Sequence, residues 1–260
     1  MITILSIILF SLLVLVGKTR GLKTFGIFYL NLFLILVYLF LISIGLNAII
    51  HAIIICIIVS ATTLFGLNEI NVKTKSSFKA IMIILSIILL LTFFIGKSAN
   101  IQGFSAESLE SIGGYSFDLN YDMTNVLIGM FLITVIGTII DTSISISSAL
   151  NEVYINNPYL NKKELYNSGM NIGKDIISTT INTLYFALVA EFIGFFMWHY
   201  GSGFGYIINY KSFVVEISKL LLSFIASILV IPLTSYITAS SLLKENYEWV
   251  NFDSFFFYLF

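Results

Sequence analysis

The sequence predicts an all-α, polytopic transmembrane helix bundle of about seven spans, N-terminus outside and C-terminus inside. Three observations predict it. Apolar residues make up 58% of the 260 residues and charged residues 10%, with a mean hydropathy of +0.99, which excludes an ordinary water-soluble domain. The apolar residues fall into runs close to the ~20 residues a helix needs to cross a bilayer core. Basic residues gather in alternate connections between those runs. Lipid gives backbone groups no partner outside their own segment, so runs of this length must be helices.

The first run, 2–17, has no basic residue before it and no small-x-small cleavage site before Lys18, so it reads as an uncleaved span. At about 24 Å of helix it is short, and needs snorkelling flanks or local thinning. With the basic loop of Lys18, Arg20 and Lys23 it forms an N-terminal unit, 1–25. The main transmembrane domain, 26–260, follows with spans at 26–45, 48–67, 79–95, 124–147, 176–198 and 213–237. Lys73, Lys75 and Lys79, then Lys162, Lys163 and Lys174, then Lys244 mark the cytosolic side; the other connections hold only Lys97 and Lys211.

An exterior segment, 97–123, carries Glu107, Glu110, Asp118 and Asp122; Ser105 and Glu107 read as the start of a short helix that Gly113 and Gly114 end. It is an acidic cap, or alternatively a cation-attracting vestibule. In the cytosolic loop, 151–175, Asn156, Asn157 and Pro158 form a turn. Asn161 and Glu164 then have capping-box spacing for a short surface helix, and Gly169 and Gly173 mark a bend into the next span.

Net charge is −1, which points to no nucleic acid; the bilayer is the implied partner. Cys56 is the lone cysteine, so neither a disulfide nor a thiolate metal site is expected. His51 and His199 fall at span ends, and no HExxH or phosphate-binding loop occurs. Gly201-Ser202-Gly203 follows Tyr200 and lacks a nucleophile elbow, and Asp141 alone is deep where an aspartyl pair would need two. No catalytic residue, metal or cofactor is expected, and the chain is not read as an enzyme.

The polar residues inside the spans carry the functional expectation. An ionised side chain near the bilayer centre costs about 2.5–3.5 kcal/mol, so it needs a partner, neutralisation or water. Gly137, Asp141, Ser145, Ser148 and Glu152 share one helical face. Asp175, Ser178, Thr179, Asn182 and Thr183 cluster on the returning span, with Asn182 at a depth comparable to Asp141. The two stripes are expected to face each other. The serines and threonines read as interhelical hydrogen bonds, worth about 0.6 kcal/mol each. A carboxylate is a poor choice for that purpose, which singles out Asp141. Glu191, Glu216 and Lys219 form a second expected group, either a structural ion pair or a proton- or ion-responsive relay, and Pro232 interrupts the last span.

The stretch GTIIDTSISISSALNE at 137–152 resembles the signature of the YibE/F family of bacterial membrane proteins. The likeness continues through NP at 157–158, KEL at 163–165, SGMNIGKDI at 168–176, NTL at 182–184 and IPLT at 231–234, with GFSAE at 103–107 upstream. Without an extended soluble N-terminal region, the chain resembles the shorter, F-type member. The resemblance implies a multi-pass protein of the bacterial cell membrane, of unestablished activity, partnered by a longer YibE-type membrane protein or by its own copies. A fainter similarity joins the GxxxDT motif, the Glu-bearing turn and the Thr-rich return to one half of the SecD/SecF-like export proteins. The chain departs from those by lacking their large exterior domain. Proton coupling there runs through membrane aspartates, which implies the role for Asp141. The expected function is a transporter-like or export-associated subunit coupled to a proton or cation through Asp141, with Ser145, Asn182, Glu152 and Asp175 around it. The alternative is a non-catalytic partner subunit that assembles or stabilises a YibE-type complex.

Overall fold

A computed structural model describes residues 1–68, 70–98, 123–198, 200–201 and 203–257. The expected exterior helix opening at Ser105, with its acidic residues, and His199 lie outside the described residues. Among those described there is no strand. Among the described residues six helices are long and apolar enough to cross a membrane. The chain is a multi-pass, all-helical membrane protein.

Helix α1, Ile2–Ser43, contains both of the first two expected spans. They join through Lys18, whose φ of 47° breaks the helix without an open loop. The chain doubles back there. The Phe10 and Phe25 rings lie 4.9 Å apart, where a straight helix would separate those residues by about 22 Å. Gly21 sits against the Leu13 carbonyl, an approach that any side chain would block. The first two expected spans are therefore the two arms of α1, folded back on each other at Lys18.

Gly45, at φ 87°, turns the chain into α2, Ala48–Leu67. Asn47 caps this helix by accepting from the backbone N–H groups of Ile49 and Ile50. Inside the membrane region Asn31 of α1 clamps α2: its amide donates to Thr63 Oγ1 at 3.0 Å and accepts from Thr62 Oγ1 at 3.0 Å.

Helix α3, Val72–Ser98, starts before the expected 79 because Asn71 and Thr74 cap it reciprocally. Helix α4, Met123–Asn156, is the hub and packs against α2, α3, α5 and α7. Helix α5, Lys162–Trp198, opens on the Asn161–Glu164 box: Asn161 accepts from the N–H groups of Lys163 and Glu164, and Glu164 accepts from that of Asn161. The short α6, Phe204–Ile208, leads into α7, Lys211–Phe257, which includes Pro232.

The expected surface helix and bend are one continuous helix with the following span. Only 157–161 separate α4 from α5. The glycines mark contact instead of a bend. A Cβ on Gly169 would lie 2.5 Å from Ser235 Oγ and 2.9 Å from Leu150, and one on Gly173 would collide with Ile231. This small-xxx-small pair lets α5 approach α7 closely. Lys162 adds a cation–π contact, 3.9 Å from the Tyr236 ring centroid.

The apolar core lies between α2, α3, α4 and α7, around Phe131, Leu132, Val135, Ile139, Ile81 and Ile88. Gly129 admits the Tyr38 hydroxyl against α4. Large apolar side chains of α1 and of the middle of α5 point outward, as a lipid-facing surface requires.

Candidate functional site

Helix α4 carries polar groups on two opposite faces. The face read from the sequence points away from the core: Asp141, Ser145 and Glu152 are exposed, Ser148 is half-buried, and open space lies where a Cβ of Gly137 would sit. The matching residues on α5, Asp175, Ser178, Thr179, Asn182 and Thr183, are exposed as well. The cause is the way α5 is held. Leu165, Gly169 and Gly173 anchor its first third, and Phe192 packs against Phe213 near its far end, with ring centroids 5.2 Å apart. Its middle stands free.

The side chains of Asp141, Ser145, Glu152, Asp175 and Asn182 make no hydrogen bond or ion pair with another residue among those described; the Glu152 carbonyl accepts from the Asn156 amide at 2.8 Å. The structure gathers these residues on the outer faces of neighbouring helices without connecting them. Lys219 forms an ion pair with Glu216 one turn away, with side chains 13% and 23% exposed. Glu191 is exposed and outside this pair.

The inner face of α4 is different. Ser143 and Ser147, one turn apart, meet Ser77 of α3 and Thr234 of α7. Ser77 Oγ lies 2.5 Å from Ser147 Oγ and donates to the Ser143 carbonyl at 3.2 Å. Ser143 Oγ lies 3.1 Å from Thr234 Oγ1. All four residues are 1% exposed or less. Around them Thr142, Ser235 and Thr238 are equally buried, and their hydroxyls have no partner.

Sequence reasoning missed this hydroxyl layer. Serine and threonine stand out poorly in hydropathy, and Ser77 meets residues 66 and 70 positions away. A signal was present in α7, where Ser223, Ser227, Thr234 and Thr238 keep helical spacing. Among the described residues no three His, Cys, Asp or Glu side chains come together to hold a metal, and Cys56 is a buried free thiol.

The model of the YibE/F-like protein family matches residues 5–244, nearly the whole chain. No curated protein and no solved structure matches it.

Proposed function

This chain belongs to the YibE/F family, and on that footing we propose that it is one subunit of a transport- or export-type assembly in the bacterial cell membrane. Asp141 binds and releases a proton or cation in that assembly. Asn182 orients the carboxyl, while Ser145, Glu152 and Asp175 continue the polar face toward the cytosolic end. The reading takes the N-terminus as outside and the C-terminus as inside, and assigns the chain no catalytic chemistry of its own.

One observation carries the proposal: a carboxylate within a membrane-crossing helix is exposed on the surface of the single chain. Against hydrocarbon it would cost about 2.5–3.5 kcal/mol, so another protein surface or a water-lined space must cover it. The free middle of α5 supplies more polar surface of the same kind. A YibE-type protein or a second copy of this chain is the proposed cover.

Asp141→Asn tests it. The carboxamide keeps shape and hydrogen bonding but cannot change charge. Expected is normal co-purification of the assembly with loss of its proton- or cation-dependent transport phenotype. A second reading, a non-catalytic partner subunit, draws on the same exposed face. It predicts an unchanged phenotype for Asp141→Asn and lost co-purification when Asn182 and Thr183 are replaced by leucine. If Asp141→Asn changes neither assembly nor phenotype, the coupling role is wrong.

A further inference from the structure

One face of α7 carries six polar residues between Glu216 and Thr238 and is turned into the bundle. Glu216, Lys219, Ser223, Ser227, Thr234 and Thr238 fall within an arc of about 100° at 3.6 residues per turn. Ser223, Ser227, Thr234 and Thr238 are 0–1% exposed, and the ion pair at the Lys211 end is mostly buried. Close helix packing explains small residues on such a face, but alanine would serve that purpose without polar atoms.

The hydrogen bonds show what the hydroxyls present to the interior. Ser223 Oγ donates to the Lys219 carbonyl at 2.9 Å and Ser227 Oγ donates to the Ser223 carbonyl at 2.8 Å. Their hydrogens are committed to their own helix, so they form no bond between helices. Their lone pairs face inward. Further along, Thr234 meets Ser143, and Thr238, on the same face one turn on, is fully buried with no partner. A buried hydroxyl without a partner has lost its solvation, which an oxygen-seeking or oxygen-bearing guest would restore.

We propose that the inward face of α7 is a path for small monovalent cations, lined by neutral oxygens and walled by α3 and α4. Lone pairs turned inward favour a cation over an anion, and hard monovalent cations take oxygen ligands. Val230, fully buried between Ser227 and Thr234, is the apolar constriction. The interval from Ser227 to Thr234 is about 10 Å of helix, too long for one hydrated step. Pro232 stands within it and lacks the N–H that would hold the Ile228 carbonyl, so α7 is weakest beside the constriction. This path is separate from Asp141 and does not rest on the coupling proposal.

Silver ion is the probe, being a small monovalent cation that blocks thiols irreversibly. In a Cys56→Ala background, single cysteines replace Ser223, Ser227, Thr234 and Thr238. Leu222→Cys and Ala239→Cys are the controls, equally buried outside that arc of α7. After brief silver treatment the purified protein is denatured, and remaining thiols are counted by a maleimide-polymer gel shift. Expected is loss of the shift at 223, 227, 234 and 238, with the shift kept at 222 and 239. Uniform protection means a dry, tightly packed interior, and uniform reaction means a loosened helix; either overturns the path.

Discussion

The approach of α5 to α7 at Gly173 yields a magnitude that can be worked from the structure. A Cβ there would collide with Ile231 Cγ2, and Ile231 is β-branched and 5% exposed, so it cannot swing aside cheaply. Gly173→Val adds that Cβ and two further methyls. Overpacking costs about 1–3 kcal/mol, while leaving glycine inside a helix recovers only a few tenths. The net loss is about 1–3 kcal/mol. For a chain of this size it lowers the unfolding midpoint by about 2–12 °C, at roughly 2–4 °C per kcal/mol. The assay is the fraction remaining in the monodisperse chromatographic peak after heating in detergent. Ile231→Ala removes the colliding Cγ2, so Gly173→Val/Ile231→Ala should be milder than the sum of its parts by at least about 1 kcal/mol. An unchanged midpoint for Gly173→Val, or strict additivity in the cycle, would refute the close approach and with it the account of why the middle of α5 stands free.

Two further outcomes follow from cross-helix and ion-pair geometry. Asn31→Leu removes both bonds to Thr62 and Thr63, and should cost about 0.6–1.7 kcal/mol per bond in the same heating assay; Thr62→Val added to it should cost little more, since the Thr62 hydroxyl then keeps only its bond to the Val59 carbonyl of its own helix. Lys219→Met leaves Glu216 mostly buried without its partner, and should destabilise the protein more than Glu216→Gln/Lys219→Met does. Equal midpoints for those two variants would mean that water already solvates the pair.

The spans were legible because lipid tolerates so little: a long apolar run can only be a helix, and α2, α4 and α7 contain the runs read for them. Features set by a partner elsewhere in the chain were not legible. Gly169 and Gly173 read as a bend, because the contacts they serve are with Ser235 and Ile231, more than fifty residues on. Lys18 looked like part of an open basic loop, yet a single left-handed residue turns the chain. The start of α3 at Val72 followed from the Asn71–Thr74 cap, a polar signal that a hydropathy reading passes over. Within the site, charge drew attention to Asp141, and a carboxamide at matching depth drew it to Asn182. The hydroxyls of α7 carry no charge, and their meaning appears only with Ser143 and Ser77 beside them.

The two polar faces of α4 make opposite demands on their surroundings. Asp141 and Ser143 are two residues apart, about 200° around the helix, and the same offset separates Ser145 from Ser147. An exposed carboxylate in a membrane must be answered from outside the chain, by a partner or by water. Buried hydroxyls must be answered from inside it, by one another or by a small guest. The Asp141 proposal therefore requires an assembly, and the α7 path requires only the folded chain. Purified protein alone should give the silver pattern along α7, whereas Asp141→Asn should have its effect only where the proposed partner is present. A silver pattern that appeared only in the assembly would overturn the path as a property of the folded chain.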